Sequence, residues 1–243
     1  MTSHHLARMT RDEIAEHLRR RPVAILPIGA TEQHGHHLPM GTDNYLAEEL
    51  ARRIAERVDG VVLPTIPFGY SWVWRDIPGT ITVGHRTLEL YLRDVIESVE
   101  RGGFGALAIV DGHESNVTTM KYVVRDHAAT SDFPVIRLFY PDLADIRGAS
   151  CKSPTWFGMI HACEFETSLM LETEPELVDM RQAVREYPEF SDSYTYAAEQ
   201  LGNLSVSGVY GDATLATAEK GQAMFARFVD ESVRVIEQLT TTE

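Results

Sequence analysis

From Val23 to Phe139, short continuous apolar runs alternate with amphipathic stretches. Val23–Ile28, Val61–Ile66, Ala106–Val110 and Val135–Phe139 read as strands buried on both faces, because few polar positions interrupt them. Helical stripes lie between them. Leu46, Leu50 and Ile54 recur at four-residue spacing in Asn44–Arg57, and Leu88, Tyr91, Leu92, Val95 and Val99 line one side of Thr87–Glu100. Asn116–Ala129 is a third helix. Ahead of the first strand, Thr10 and Glu13 make a capping-box pattern that opens a short helix to about Arg20, with Ile14 and Leu18 on one face. The alternation predicts an α/β fold with a mainly parallel sheet covered by helices on both sides. Thr80–Val83 is a candidate extra strand. Scattered Pro and Gly break the rhythm over residues 141–160, and Phe165–Leu171 resumes as an apolar helix. Asp179–Leu204 reads as a long surface excursion. Ala213–Leu239 is the final amphipathic helix, and residues 240–243 are expected to fray. No repeat or low-complexity linker marks a boundary, so a single domain is expected over residues 1–243.

The 243 residues are 44% hydrophobic and 24% charged, an ordinary balance for a soluble globular chain. Acidic residues outnumber basic ones 36 to 22, for a formal net charge of −14. That excess disfavours nucleic acid and anionic membranes as partners and is compatible with a small, neutral or cationic substrate without demanding one. The one basic run, Arg19-Arg20-Arg21, suits the C-terminal end of a helix dipole. Cys151 and Cys163 form no Cys-x-x-Cys pair, which argues against a disulfide framework and a thiolate zinc site. No signal-peptide core or membrane-length apolar run is present, so a cytoplasmic location is expected.

Candidate chemistry collects where strands end. Glu32, His34 and Asp43 follow the first strand within twelve positions, and His113 follows the third. Carboxyl ends of parallel strands share one edge of a sheet, where ligands and chemistry gather. A third segment, His161-Ala-Cys-Glu164-Phe-Glu166, brings more imidazole and carboxylate to the start of a helix. Each piece alone has a plainer reading: Glu32 bonding backbone amides, Asp43 capping the Asn44 helix, His113 serving as a hydrogen-bonding residue. His36 and His37 would orient or underpin their loop, and Asp111 would hold its turn. Together, two imidazoles and two carboxylates on neighbouring strand ends would be costly to bury without a cation. Carboxylate plus imidazole suits zinc, manganese or iron.

Four motifs make the chain resemble the creatininase family, that is, creatinine amidohydrolase with its formamide-deformylase and mycofactocin-peptidase relatives. They are Leu26-Pro-Ile-Gly-Ala-Thr-Glu-Gln-His-Gly-x-His-Leu-Pro39 with Thr42-Asp43, then Pro78-Gly-Thr80, then Gly112-His113-x-x-Asn116, and last His161-Ala-x-Glu164-x-Glu166-Thr-Ser168. The resemblance implies a three-layer α/β/α fold, a two-metal hydrolase centre and a homohexamer. It places one ion on Glu32, Asp43 and His113, and a second on His34, Asp43 and a further glutamate, with Asp43 bridging. Two departures bear on that last ligand. Much of the family has Asn-Gly-His-Gly-Gly-Asn where this chain has Asp111-Gly-His-Glu-Ser-Asn116. Creatininases proper carry a ligating glutamate two residues after the histidine, where this chain has Ser115. Glu164 is therefore the expected ligand and Glu114 its rival, and creatinine itself becomes a less natural substrate.

The expected reaction is hydrolysis of a carbon–nitrogen bond in a small cyclic or linear amide. Paired divalent ions (zinc, manganese or iron) would lower the pKa of a bridging water and polarise the carbonyl. His161 resembles the family's proton-transfer histidine, with a hydrogen-bonding histidine at a helix start as the plainer reading. Glu166 is expected to orient a ligand, and Cys163 to be a small buried residue instead of a nucleophile. Tyr70, Trp72, Trp74 and Trp156 are candidates for pocket walls, with core packing expected for at least two. The alternatives are formamide, peptide or carbon–carbon hydrolysis at the same site, or a non-catalytic metal-binding protein. A nucleotide-dependent enzyme is disfavoured, because Gly102-Gly-Phe-Gly105 precedes a strand instead of opening a helix.

Overall fold

The computed structural model describes residues 4–194 and 196–240. Helix α1 (Arg11–Leu18) opens on the expected box: the Thr10 side chain accepts from the Glu13 amide, and the Glu13 carboxylate accepts from the Thr10 amide. Four strands follow: β1 (Val23–Ile28), β2 (Val61–Val62), β3 (Ala106–Asp111) and β4 (Val135–Leu138), in the order β2-β1-β3-β4 and all parallel. Helices α2 (Thr42–Val58), α3 (His85–Arg101) and α4 (Val117–Ala128) connect them. Strand alternation sorts the core into two layers. Ile25, Ala108, Val110, Ile136 and Leu138 pack with α2, α5 (Leu143–Ser150), α6 (Glu164–Thr173) and α7 (Ala218–Thr240). Ala24, Leu26, Ile28, Leu107 and Ile109 face α3 and α4 on the other side. The result is the three-layer α/β/α architecture with a parallel central sheet.

Departures from the sequence pattern have local causes. Strand β2 pairs for two residues only; past Pro64, Ile66 rejoins β1 through its amide to the Pro27 carbonyl at 3.0 Å. Thr80–Val83 contributes one antiparallel bridge, Thr31 to Ile81, and no strand. Helix α5 lies within a stretch whose Pro and Gly concealed its pattern, and it packs through Ile146. The last helix begins at Ala218, later than expected, because the Asp212 carboxylate accepts from the amide and hydroxyl of Thr214 and folds Ala213–Leu215 into a 3₁₀ turn. Of the expected fraying segment, residues 241–243 lie outside the described residues, and Thr240 ends α7. No helix among the described residues is long and apolar enough to cross a membrane.

Candidate metal centre

The centre forms where the carboxyl ends of β1 and β3 meet the first turn of α2. Close approach requires glycine at two points. A Cβ on Gly29 would lie 2.5 Å from Asn44 Oδ1, and one on Gly112 would lie 2.2 Å from the Asp43 carbonyl oxygen. With hydrogen there instead, Asp43 sits inside the first turn of α2, wedged between the loop carrying Glu32 and His34 and the end of β3 carrying His113. It is 1% exposed, and Glu32 and His34 are fully buried.

Asp43 divides its two oxygens between two imidazoles. Its Oδ1 lies 3.0 Å from His34 Nε2, and its Oδ2 lies 3.1 Å from His113 Nδ1. His113 Nδ1 is also 3.4 Å from Glu32 Oε1, and His34 Nε2 is 3.8 Å from Glu166 Oε2. The opposite ring nitrogens face backbone carbonyls: His113 Nε2 donates to Tyr70 O at 3.0 Å and His34 Nδ1 to Glu32 O at 3.3 Å. Those bonds leave His113 Nδ1 and His34 Nε2, both aimed at Asp43, as the nitrogens that would ligate a cation once they give up their protons.

Two triads therefore share one carboxylate. The donor atoms of Glu32, Asp43 and His113 lie within 4.8 Å of one another, and so do those of His34, Asp43 and Glu166. Glu32, His34 and His161 form a third such grouping. Both Glu32 oxygens, His34 Nε2 and Asp43 Oδ2 are buried without a hydrogen-bond partner. Each such atom costs about 1–3 kcal/mol when left so. An oxygen- and nitrogen-rich set with orphaned, buried acceptors fits divalent cations of the zinc or manganese type.

Electrostatics carry the same strain. Burial pushes the Glu32 and Glu166 carboxyls upward, and the Asp43 charge adds to both. Burial also works against the Asp43 anion, but the His34 and His113 imidazoles hold its pKa well below the usual carboxylate range. Burial would lower His34, yet the Asp43 charge outweighs it and raises the imidazole to about 9. His113 is raised well above its ordinary value by Glu32 and Asp43, again against burial. Imidazolium is standing in here for positive charge that the carboxylates demand.

Of the site residues named from sequence, Glu32, His34, Asp43, His113 and His161 come together, and Glu164 does not. Both Glu164 oxygens are engaged elsewhere: Oε2 accepts from the Lys152 and Ser153 amides at 2.8 and 2.6 Å, and Oε1 pairs with Lys220. Glu166 therefore stands in the cluster where the sequence reading expected Glu164, which the fold engages elsewhere. The two residues lie about 200° apart around α6, so when one faces α7 the other faces Asp43. Glu166 Oε2 also accepts from the Ala162 amide at 2.5 Å, which fixes its direction. Glu114 belongs to neither triad and stands exposed at the rim of the adjoining cavity.

That cavity, of 220 Å³, opens over the centre and is lined by Glu32, His113, His161 and Glu166 beneath apolar walls that include Trp74, Met159 and Leu201. His161 stacks on Trp74 with ring centroids 4.3 Å apart, its Nε2 2.8 Å from the Gln33 carbonyl and its Nδ1 3.6 Å from Glu32 Oε1. Burial and the neighbouring His34 lower its pKa well below the ordinary value. Of the four aromatics proposed as walls, Trp74 lines the cavity, Trp156 donates to Pro188 O at 2.6 Å in the adjacent apolar cluster, Tyr70 packs in the α3–α4 layer, and Trp72 lies under Arg75. His37 bonds Thr167 at 2.9 Å and ties the β1 loop to α6. Asp111 accepts from the His113 amide and from Asn116, as a turn-holding residue would.

A family model for creatininases, described as creatinine amidohydrolase, matches residues 7–236. Creatinine amidohydrolase of Pseudomonas putida is 32% identical over 215 residues, covering 82% of this chain and 83% of its own. The mycofactocin precursor peptide peptidase of Mycobacterium ulcerans (strain Agy99) is 31% identical over 230 residues, covering 90% and 86%. A solved manganese creatininase superposes with a TM-score of 0.86 at 28% identity over 99% of this chain and all of its own, and a creatininase of Zn–Zn type does so at 29% with the same TM-score and coverage. Shared sheet, matched length and a buried cluster suited to cations agree: the chain belongs to the creatininase family, whose members are hydrolases.

Proposed function

We propose that this protein is a metal-dependent hydrolase that cleaves a carbon–nitrogen bond in a small cyclic or linear amide. The observation that carries the reading is the divided Asp43 carboxylate, one oxygen on each imidazole, flanked by the orphaned oxygens of Glu32. Glu32, Asp43 and His113 would hold one divalent ion and His34, Asp43 and Glu166 a second, with zinc and manganese favoured and iron possible for the same donor set. When bound, such a pair lowers the pKa of a water and polarises a carbonyl.

The chain's own groups supply the rest. Trp74 and the Gln33 carbonyl hold the His161 ring at the cavity floor, with Nδ1 turned toward Glu32. Being neutral, that nitrogen takes the proton released as water adds to the amide carbon, and returns it to the departing nitrogen as the bond breaks. The walls Val73, Trp74, Met159, Ile160 and Leu201 keep bulk water from the reacting groups. At 220 Å³ the cavity is smaller than the roughly 300–1,000 Å³ of drug-sized pockets, which suits a small substrate or one terminal residue of a longer one.

The test is a hydrolysis screen with lactams, formamides, ureas and short peptides, run on chelator-stripped protein and on protein reloaded with zinc, manganese or iron. Turnover that appears only after reloading supports the reading. Turnover indifferent to chelation would overturn it. A formamide or peptide substrate would keep both the centre and the carbon–nitrogen bond, whereas a carbon–carbon substrate would keep the centre and change the bond.

A further inference from the structure

The cavity is lined by three carboxylates, and two of them, Glu32 and Glu166, belong to the triads. The third, Glu114, makes no hydrogen bond or ion pair among the described residues. No lysine or arginine lines the cavity to answer it.

Its position is set with care by its neighbours. Glu114 opens the 3₁₀ turn Glu114–Asn116, directly after the ligand candidate His113. That turn is pinned from three sides: Asn116 donates to Asp111 Oδ1 at 3.0 Å and to Gly29 O at 3.1 Å, and accepts from the Tyr70 amide at 2.9 Å. Adjacent Cα atoms are about 3.8 Å apart, so the carboxylate stands within a small molecule's length of the triads. Trp74, Met159, Leu201 and Tyr194 line the same cavity. Apolar and aromatic walls strengthen an electrostatic contact, and aromatic faces also favour cations.

We propose that Glu114 is the specificity-determining residue of this cavity, and that the amide it selects carries a cationic nitrogen group (ammonium, amidinium or guanidinium) that pairs with its carboxylate. The proposal rests on the hydrolase reading above and names its substrate class. The triad carboxylates face cation sites, so Glu114 is the anion left for the substrate to match. A neutral amide of the same shape would leave that charge unanswered. A charge-assisted hydrogen bond there gives the cationic substrate an advantage of about tenfold or more.

The test uses the metal-loaded full chain and two probes that share one ring: α-amino-γ-butyrolactam, cationic at neutral pH, and neutral γ-butyrolactam. Calorimetry measures both dissociation constants for wild type, Glu114→Gln and Glu114→Asp, with metal content determined in parallel. The proposal expects wild type to prefer the amino lactam about tenfold, Glu114→Gln to bring the ratio near one, and Glu114→Asp to restore part of it. An unaltered ratio in Glu114→Gln, or no preference in wild type, would overturn it. So would loss of a metal ion in Glu114→Gln, because the carboxylate would then be a ligand. The two readings separate cleanly. Glu114-dependent preference without hydrolysis sinks the amidase and keeps the subsite, whereas hydrolysis of both lactams without that preference does the reverse.

Discussion

Glu164 and Glu166 are two residues apart, equally buried in kind, and opposite in purpose. Glu164 is fully buried against two amides and the Lys220 ammonium, so its charge is answered within the fold. Glu166 is raised by burial and by Asp43, and its one ionic neighbour at the centre is His34. Glu164→Gln should therefore lower stability by about 2–4 kcal/mol, since it strands a partly buried ammonium, while leaving metal content unchanged. Glu166→Gln should do the reverse: little loss in denaturation midpoint, one ion fewer per chain, and activity down by at least a hundredfold. Metal analysis and urea melts on both variants decide it, and loss of an ion in Glu164→Gln would restore the first expectation. His37 gives a pH signature at the same scale. Burial holds its imidazole at about 4, below the ordinary 6.5, so the unfolded chain takes up the extra proton between those values. Its contribution is complete above about pH 6.5 and is lost as pH falls toward 4, some 2–3 kcal/mol in all. His37→Gln should flatten that part of the stability profile of metal-free protein relative to wild type.

At the scale of elements, the ends of β1 and β3 touch the start of α2 because Gly29 and Gly112 leave no side chain in the way. Gly112→Ala would drive a methyl into the Asp43 carbonyl; we expect at least about 2 kcal/mol of destabilisation and weakened metal uptake, measured by thermal melting and zinc titration. Wild-type stability in that variant would show that the contact yields. Much of this layer was legible from sequence. Strand β1 has the bounds its apolar run predicts, and α2, α3 and α4 fall within two residues of theirs. Strand ends were legible for the same reason, and with them Glu32, His34, Asp43 and His113. The phase of α6 was not. Its residues are buried on every side, from Glu164 through Met170, so no polar face announces which carboxylate looks inward. Only the neighbours of α6, Lys220 on one side and Asp43 on the other, separate the two glutamates. Helix α5 escaped because Gly148 and the surrounding prolines imitate a loop.

For the molecule as a whole, the sheet brings residues from 32 to 166 into one buried cluster that the fold cannot satisfy by itself. The resemblance to creatininases implies a homohexamer, and sedimentation velocity should find six copies together; a monomer at micromolar concentration would contradict that. Since the triad imidazoles hold raised pKa values without metal, uptake of ions should release protons and tighten as pH rises from about 6 to 9. The most direct measurement titrates chelator-stripped protein with zinc or manganese while metal content and amide hydrolysis are followed together. The account predicts two ions per chain, one in Glu166→Gln, and hydrolysis that grows with occupancy. A protein that takes up no tightly held ion, or that hydrolyses its substrate equally well stripped, would contradict it.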